Sequence, residues 1–256
     1  MIFIMAREGR LQTAIGILFW LAVWQLAAMA VNEGILLASP LTTLRTLVRL
    51  VPTGAFWQRV AFSAGRIVLG FFAALAAGSL LAALSAASKT AATLTRPLMQ
   101  LIKAVPVASF IILALLWVRS AWLAALISFF MVLPVVYTAV LQGVLAANAQ
   151  LLEMAAVFRL PFKRTLRAVW LPQVWPYFRQ SCTVAMGLAW KSGIAAEVIG
   201  LPGGSIGEAL YRAKLYLETG ELFAWTAVIV LVSAVCEAAF LRLLHRAEAR
   251  LKGGLA

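Results

Sequence analysis

The chain has 256 residues, 64% of them hydrophobic and 12% charged, with a net charge of +13 and a mean hydropathy of +0.96. A soluble domain is nearer half apolar and a quarter charged, so this composition excludes an aqueous globule and describes a polytopic membrane protein. The sequence has no Asp and a single His, His245, which excludes paired-Asp phosphoryl-transfer sites, His-based metal clusters and His-dependent triads.

A G-x-x-x-x-G-K-[ST] nucleotide loop does not occur either. The basic excess would suggest nucleic acid in a soluble protein. Lys and Arg gather in the cytoplasmic loops of membrane proteins whatever their function, so nucleic acid is not an expected partner. Cys182 and Cys236 sit inside apolar runs and read as small buried hydrophobes, not a disulfide framework.

A spanning helix needs ~20 mostly apolar residues, and six stretches meet that need. The first, about 11–32, is uncharged and flanked by Arg7 and Arg10. Ala28-Met29-Ala30 resembles a signal-peptide cleavage site, but the run is longer than a signal core of ~7–15 residues and predicts a retained anchor. The second, 67–88, follows Arg66, whose stem can snorkel to the interface. The third, 97–118, carries Lys103 and Pro106; the fourth, 121–147, carries Pro134, and both prolines predict kinks. The fifth, 177–200, contains Lys191 and Glu197, and the sixth, 222–244, ends near Glu237 and Arg242.

Two outer stretches have a pattern of their own. From Pro40 to Val60, Leu44, Leu47, Val48 and Val51 alternate with Arg45 and Arg49 at helical spacing after Ser39-Pro40, which predicts a helix lying on the outer membrane face. Residues 201–221 begin with Pro202-Gly203-Gly204-Ser205 and read as a turn-rich loop. Trp57, Trp117, Trp122 and Trp225 fall near outer span ends and read as interfacial anchors. Ala73, Ala74, Ala76 and Ala77 suggest close helix packing through small side chains.

Six spans put both termini on one side. With the N-terminus inside, the inner segments hold Arg7, Arg10, Lys89, Arg96, Lys103, Arg159, Lys163, Arg164, Arg167, Arg179, Arg242, Arg246, Arg250 and Lys252. The outer segments hold Arg45, Arg49, Arg59, Arg119, Arg212 and Lys214. That asymmetry predicts cytoplasmic N- and C-termini.

The most informative segment is the inner connection at 148–176. It is amphipathic, basic through Arg159, Lys163, Arg164 and Arg167, and bounded by prolines. Pro161 suits the first turn of a second short helix, so two short helices with a sharp bend are expected. Such a unit can dock in a partner's groove; a solvated basic loop without a partner is the alternative, and the residues alone leave both open.

The segment resembles the EAA loop of ABC importer permeases, in which E-A-A, a Gly and I-x-L-P recur at fixed spacing. Glu153 and Ala155 stand at its first and third places, with Met154 at the second and Ala156 following; Val169, Leu171 and Pro172 stand at the I-x-L-P positions. Arg159 replaces the family Gly, and Leu160-Pro161 could supply the bend instead. The resemblance covers roughly residues 35–245. Ser63-Ala64-Gly65-Arg66, Leu69-Gly70-Phe71, Arg96-Pro97-Leu98, Gly187-Leu188-Ala189-Trp190, Ala196-Glu197 and Gly204-Ser205-Ile206-Gly207 look like permeases of the nitrate/sulfonate/taurine importer group.

That resemblance implies an all-α, six-helix, type I permease fold occupying 1–256 as one domain in the bacterial inner membrane. It implies no catalysis and no cofactor on this chain, with ATP and Mg held by a separate cytoplasmic ATPase dimer. A second permease copy, most simply an identical one, an extracytoplasmic substrate-binding protein and membrane lipid would be the other partners. Glu153 would face a basic group on the ATPase; an N-terminal helix charge favoured by the dipole is the plainer reading.

Lys191 lies close to the bilayer middle, where ionisable residues face the protein interior or a water-filled path. Glu197 is six residues on, about 120° around the helix, so the two do not form a same-face pair. Two readings stand: both line a pathway for an anionic solute, or each makes a structural ion pair with another span, Glu237 being one candidate. A stand-alone secondary transporter is the alternative function, and a thiamine-precursor pyrimidine the alternative cargo.

Overall fold

The computed structural model describes the backbone of residues 2–31 and 33–253, with side chains at 12, 15–31 and 33–249. Asn32, at the end of the first expected span, lies outside the described residues, as do the side chains of Arg7, Arg10, Arg250 and Lys252. Every regular element among the described residues is helical. The order is α1 (Ile2–Val31), α2 (Pro40–Leu50), α3 (Gly54–Ala87), α4 (Lys89–Ala104), α5 (Val107–Ala114), α6 (Ser120–Leu145), α7 (Ala149–Val157), α8 (Phe162–Thr165), a π-turn (Leu166–Trp170), α9 (Leu171–Gly200), α10 (Ile206–Leu215) and α11 (Thr219–Gly253).

Among the described residues four helical stretches are long and apolar enough to cross a bilayer, Gly54–Ala87, Ser120–Leu145, Phe162–Gly200 and Thr219–Ala249, and the described apolar stretch of α1, Ile15–Val31, is shorter. The expected third span is not a single rod, because α4 and α5 meet at a bend of 103°. Pro106 is the cause. Its ring disfavours helical backbone in the residue before it, and Val105 is extended at φ −75°, ψ 126°. Pro134, by contrast, stays inside an unbroken α6. The second and fifth expected spans begin well inside their helices, which start at Gly54 and Phe162.

The chain divides into two compact units. One comprises residues 1–58 and 209–228. Here Ser39 Oγ accepts the Thr42 amide at 3.2 Å, capping α2, with Pro40 at the first helical position. The helix stops at Leu50, so the stretch expected to be one helix from 40 to 60 is two. Its buried side is Thr43 and Thr46, while Leu41, Leu44 and Val48 are exposed. The small polar stripe packs inward, and the exposed side mixes these apolar residues with Arg45 and Arg49. Thr42 and Thr46 side chains lie so close to Gly220 that a Cβ there would meet them at 3.2–3.3 Å. Trp24 Nε1 donates to the Ala38 carbonyl at 3.0 Å, and its ring stacks on Phe223. Trp57 is exposed, as an anchor should be, but Trp225 is 3% exposed and stacked on Phe56. It is a core residue, not an interfacial anchor.

The other unit comprises residues 59–208 and 229–256. Its most extensive helix pair is α6 with α9, and α3 closes on both through small residues. A Cβ on Gly70 would sit 2.2 Å from the Ala125 carbonyl oxygen, and one on Gly193 would sit 2.6 Å from Ile67 and 2.7 Å from Ser128 Oγ. Ser128 Oγ donates to the Ala189 carbonyl at 2.9 Å, and Tyr137 and Ser85 hydroxyls pair at 3.1 Å. A fully apolar cluster of Ile111, Leu123, Ile127 and Ala196 joins α5, α6 and α9. Lys103 Nζ donates to Thr138 Oγ1 at 3.0 Å. Arg66 does not simply snorkel: its guanidinium lies 3.4 Å over the Phe62 ring, and Nε donates to the Ala121 carbonyl at the start of α6. The turn-rich loop expected from 201 to 221 is shorter than that, because α10 occupies 206–215.

Candidate functional site

The segment 148–176 forms a helix–bend–helix unit on the second unit of the chain. Asn148 Oδ1 accepts the Gln150 amide at 2.9 Å and starts α7. The Asn148 amide in turn donates to Gln173 Oε1 at 2.6 Å, tying the start of α7 to the base of α9. The far end of α7 is closed by two bonds: the Leu160 amide reaches the Ala155 carbonyl at 2.9 Å, and the Arg159 amide reaches Ala156 at 3.0 Å. This is a Schellman closure, which requires a left-handed residue between helix and exit. That residue is Arg159, at φ +49°. The bend therefore lies at Arg159 itself, the position matched to Gly in the resembled loop pattern, and Leu160-Pro161 follow it.

Pro161 caps α8 rather than entering it; its carbonyl accepts the Arg164 and Thr165 amides at 2.8 and 3.1 Å. The second short helix then runs without interruption into α9, through the π-turn at Leu166–Trp170. Pro172 explains the wider turn. It has no N–H and its ring crowds the carbonyl four residues back, Ala168; the Leu171 amide reaches instead to Leu166, five residues back.

The residues singled out from sequence separate into two sets. Ala155 and Val169 are buried, and Leu160 is half-buried. Glu153, Ala156, Arg159, Pro161, Leu171 and Pro172 are exposed, as are Lys163, Arg164 and Arg167. Glu153 makes no ion pair among the described residues. Sequence reasoning passed over the apolar part of this surface: Val157, Phe158 and Phe162 are 79%, 71% and 74% exposed, and Met154 48%. Large exposed apolar side chains on a charged hairpin mark an interaction surface, for protein or for membrane.

The mid-span residues part company. Lys191 is exposed, on one face of α9 with Val184 and Leu188. Glu197, about 120° around the helix, is fully buried. Its Oε2 accepts the Ser63 hydroxyl at 2.7 Å and the Gly207 amide at 3.1 Å. Ser63 Oγ also accepts the Ile206 amide at 2.9 Å. Glu197 thus joins α3, α9 and the start of α10 inside the packing through a serine hydroxyl and a backbone amide, and neither it nor Lys191 forms an ion pair among the described residues, with Glu237 or any other group. The loop before α10 is set by a capping box: Ser205 Oγ accepts the Glu208 amide at 2.9 Å, and Glu208 Oε2 accepts the Gly204 amide at 2.7 Å. The S-x-x-E spacing at 205–208 was the readable signal for α10. No group of three His, Cys, Asp or Glu converges among the described residues.

Comparison with known proteins is consistent with this geometry. Residues 68–253 match the family described as binding-protein-dependent transport system inner membrane component. The chain is 27% identical over 232 residues to the putative aliphatic sulfonates transport permease protein SsuC of Bacillus subtilis, covering 88% of this chain and 82% of that one. It is 25% identical to the taurine transport system permease protein TauC of Escherichia coli, over 84% and 80% of the two chains. To the bicarbonate transport system permease protein CmpB of Synechocystis it is 27% identical, over 72% and 69%. With the family match spanning most of the chain, the stand-alone secondary transporter falls away. The chain is a multi-pass member of the binding-protein-dependent transport inner-membrane family, a permease subunit of an ABC importer whose ATPase activity resides on a separate polypeptide.

Proposed function

We propose that this permease carries a small anion inward, of the sulfonate, taurine, bicarbonate or nitrate kind, as one of two identical copies, with both termini in the cytoplasm. The hairpin from Ala149 to Trp170 is the lever by which the ATPase moves it, and ATP with Mg stays on that ATPase. The observation that carries the reading is the combination at the hairpin: exposed Val157 and Phe158 on the same short helix as Glu153, which forms no ion pair among the described residues, with the bend braced by the Schellman closure and the Asn148–Gln173 bond. An apolar surface with one central acid fits a helix-in-groove contact. The continuous helix from Phe162 to Gly200 then transmits hairpin motion to the span that holds Lys191 and Glu197, a two-state rigid-body switch. ATP and loaded binding protein drive it only through their different affinities for the two states.

The transport functions for which the relatives are named support an anion, and so does the exposed ammonium of Lys191 on a spanning helix. The charge asymmetry between inner and outer segments supports the orientation. The test is capture. Co-expressed with its ATPase, the wild-type permease should retain it through purification, and Glu153→Arg should not, while remaining folded in detergent. ATPase retained equally by both proteins overturns the lever.

A further inference from the structure

Behind the lever is an open cavity of about 520 Å³, lined by the ends of α3 and α6, α8, the π-turn and the start of α9. Its volume lies within the ~300–1,000 Å³ of ligand sites. Its walls include Ala83, Val144, Leu166, Trp170 and Trp175, and apart from Ser79 they are apolar. On the lever side Phe162, Leu166 and Trp170 repeat every four residues and all face the cavity. Lys163, Arg164 and Arg167, between them in sequence, are exposed and form no ion pair among the described residues. One short segment thus presents hydrocarbon to the cavity and three cations to its surroundings. The cavity wall also holds a buried donor without an acceptor among the described residues, the Trp175 indole N–H.

We propose that this cavity is a site for one anionic phospholipid of the leaflet on the lever side. An acyl chain fills the apolar pocket, an ester oxygen accepts from Trp175 Nε1, and the phosphate sits among Lys163, Arg164 and Arg167. Three features select this occupant over a soluble metabolite. The walls offer almost nothing polar to a small solute. The site lies where α3 ends at Ala87 and α6 ends at Leu145, at the level of lipid head groups. Basic residues just beyond span ends attract anionic lipid. The lipid would brace the π-turn, the joint between lever and span, so occupancy would set how stiffly the hairpin is held. The proposal rests on the lever reading only for which leaflet the cavity faces.

The test uses the full-length permease in phosphatidylcholine vesicles doped with phosphatidylglycerol bearing a diazirine in its acyl chain. After illumination, label is mapped by mass spectrometry. The peptide 162–178 should be labelled above the lipid-facing stretch 41–48, and unlabelled phosphatidylglycerol should compete better than phosphatidylcholine. Ala83→Trp, which fills the pocket from an exposed wall position, should lower labelling of 162–178 about tenfold or more, a difference of ~1.4 kcal/mol. Should that variant misfold, K163Q/R164Q/R167Q replaces it and should erase the preference for the anionic competitor. Labelling no greater than at 41–48, or equal competition by both lipids in the wild type, overturns the site. A lipid-free dimer by native mass spectrometry whose 162–178 peptide resists label puts the second copy in the cavity and also overturns it. Loss of label with ATPase capture intact overturns the lipid site alone; loss of capture with label intact overturns the lever alone.

Discussion

Ser63 and Glu197, 134 positions apart in sequence, meet at 2.7 Å in a fully buried setting, and the serine hydroxyl that donates to the carboxylate also accepts the Ile206 amide at 2.9 Å. One hydroxyl therefore bridges a span and the helix beginning after the 201–205 turn. Because the Gly207 amide binds the same carboxyl oxygen, the first turn of α10 is held by an acceptor placed at the end of the helix where amides lack partners.

Ser63→Ala should remove a donor from a buried carboxylate and an acceptor from a buried amide at once. Buried groups left without partners cost about 1–3 kcal/mol each. The expected result is a lower melting temperature in detergent, together with faster exchange of the Ile206 and Gly207 amides. Ser63→Thr keeps the hydroxyl and should retain most of the protection. Unchanged exchange in the alanine variant would show that the serine is not a bridge.

Arg159 gives the second prediction. A non-glycine residue in left-handed backbone costs on the order of 1 kcal/mol, and Arg159 stands there at φ +49°. Arg159→Gly should relieve that strain, and the Leu160 amide, which closes the turn on Ala155, should exchange more slowly. Arg159→Val, β-branched and ill-suited to that region, should exchange faster and weaken ATPase capture. The opposite order of the two variants would mean that the arginine side chain, not the backbone, holds the bend.

Much of this was readable before any coordinates, and the failures have physical reasons. Apolar run length found the four long apolar helices but not the bend that breaks the expected third span, and the spacing of Glu153, Ala155, Val169, Leu171 and Pro172 marked out the α7–α8 hairpin. Periodicity could not show that α8 flows into α9, because Pro172 and Pro176 look like breakers until the backbone answers with a wider turn. Nor could it separate Trp225 from Trp57, since both lie near span ends and only packing against Phe56 makes one of them core. Ser63 was visible within a familiar-looking string, but a serine in a helix carries no signal of a partner so far along the chain. Lys191 and Glu197 were grouped because both are ionisable and deep; the helix turn sends one outward and the other into the packing.

The contact of α3 with α6 makes a sharper prediction about size. A Cβ on Gly70 would meet the Ala125 carbonyl oxygen at 2.2 Å, an atom that cannot swing aside, whereas Gly65 and Gly187 have nothing within 4 Å. Overpacking a close contact costs typically about 1–3 kcal/mol, and backbone against backbone lies at the upper end. Gly70→Ala should therefore reduce the yield of folded permease and its melting temperature, while Gly65→Ala and Gly187→Ala should leave both near wild type. Equal tolerance at all three positions would mean that α3 and α6 do not cross at Gly70.

The last prediction concerns the face of α9 that Lys191 shares with Val184 and Leu188. An ammonium facing lipid at mid-bilayer costs about 2.5–3.5 kcal/mol on insertion scales, so an exposed Lys191 must meet water or a second protein. In a pathway it would attract the anionic cargo without contributing to folding. Lys191→Met should then leave melting temperature and ATPase capture intact, or slightly raise stability, while uptake of an anionic substrate falls by about tenfold or more, the equivalent of ~1.4 kcal/mol. Lys191→Arg should restore part of the uptake, because charge matters there more than shape. The outcome that removes Lys191 from the pathway is a Lys191→Met protein that no longer assembles as a dimer, for then the ammonium belongs to an interface between copies and the anion is attracted elsewhere.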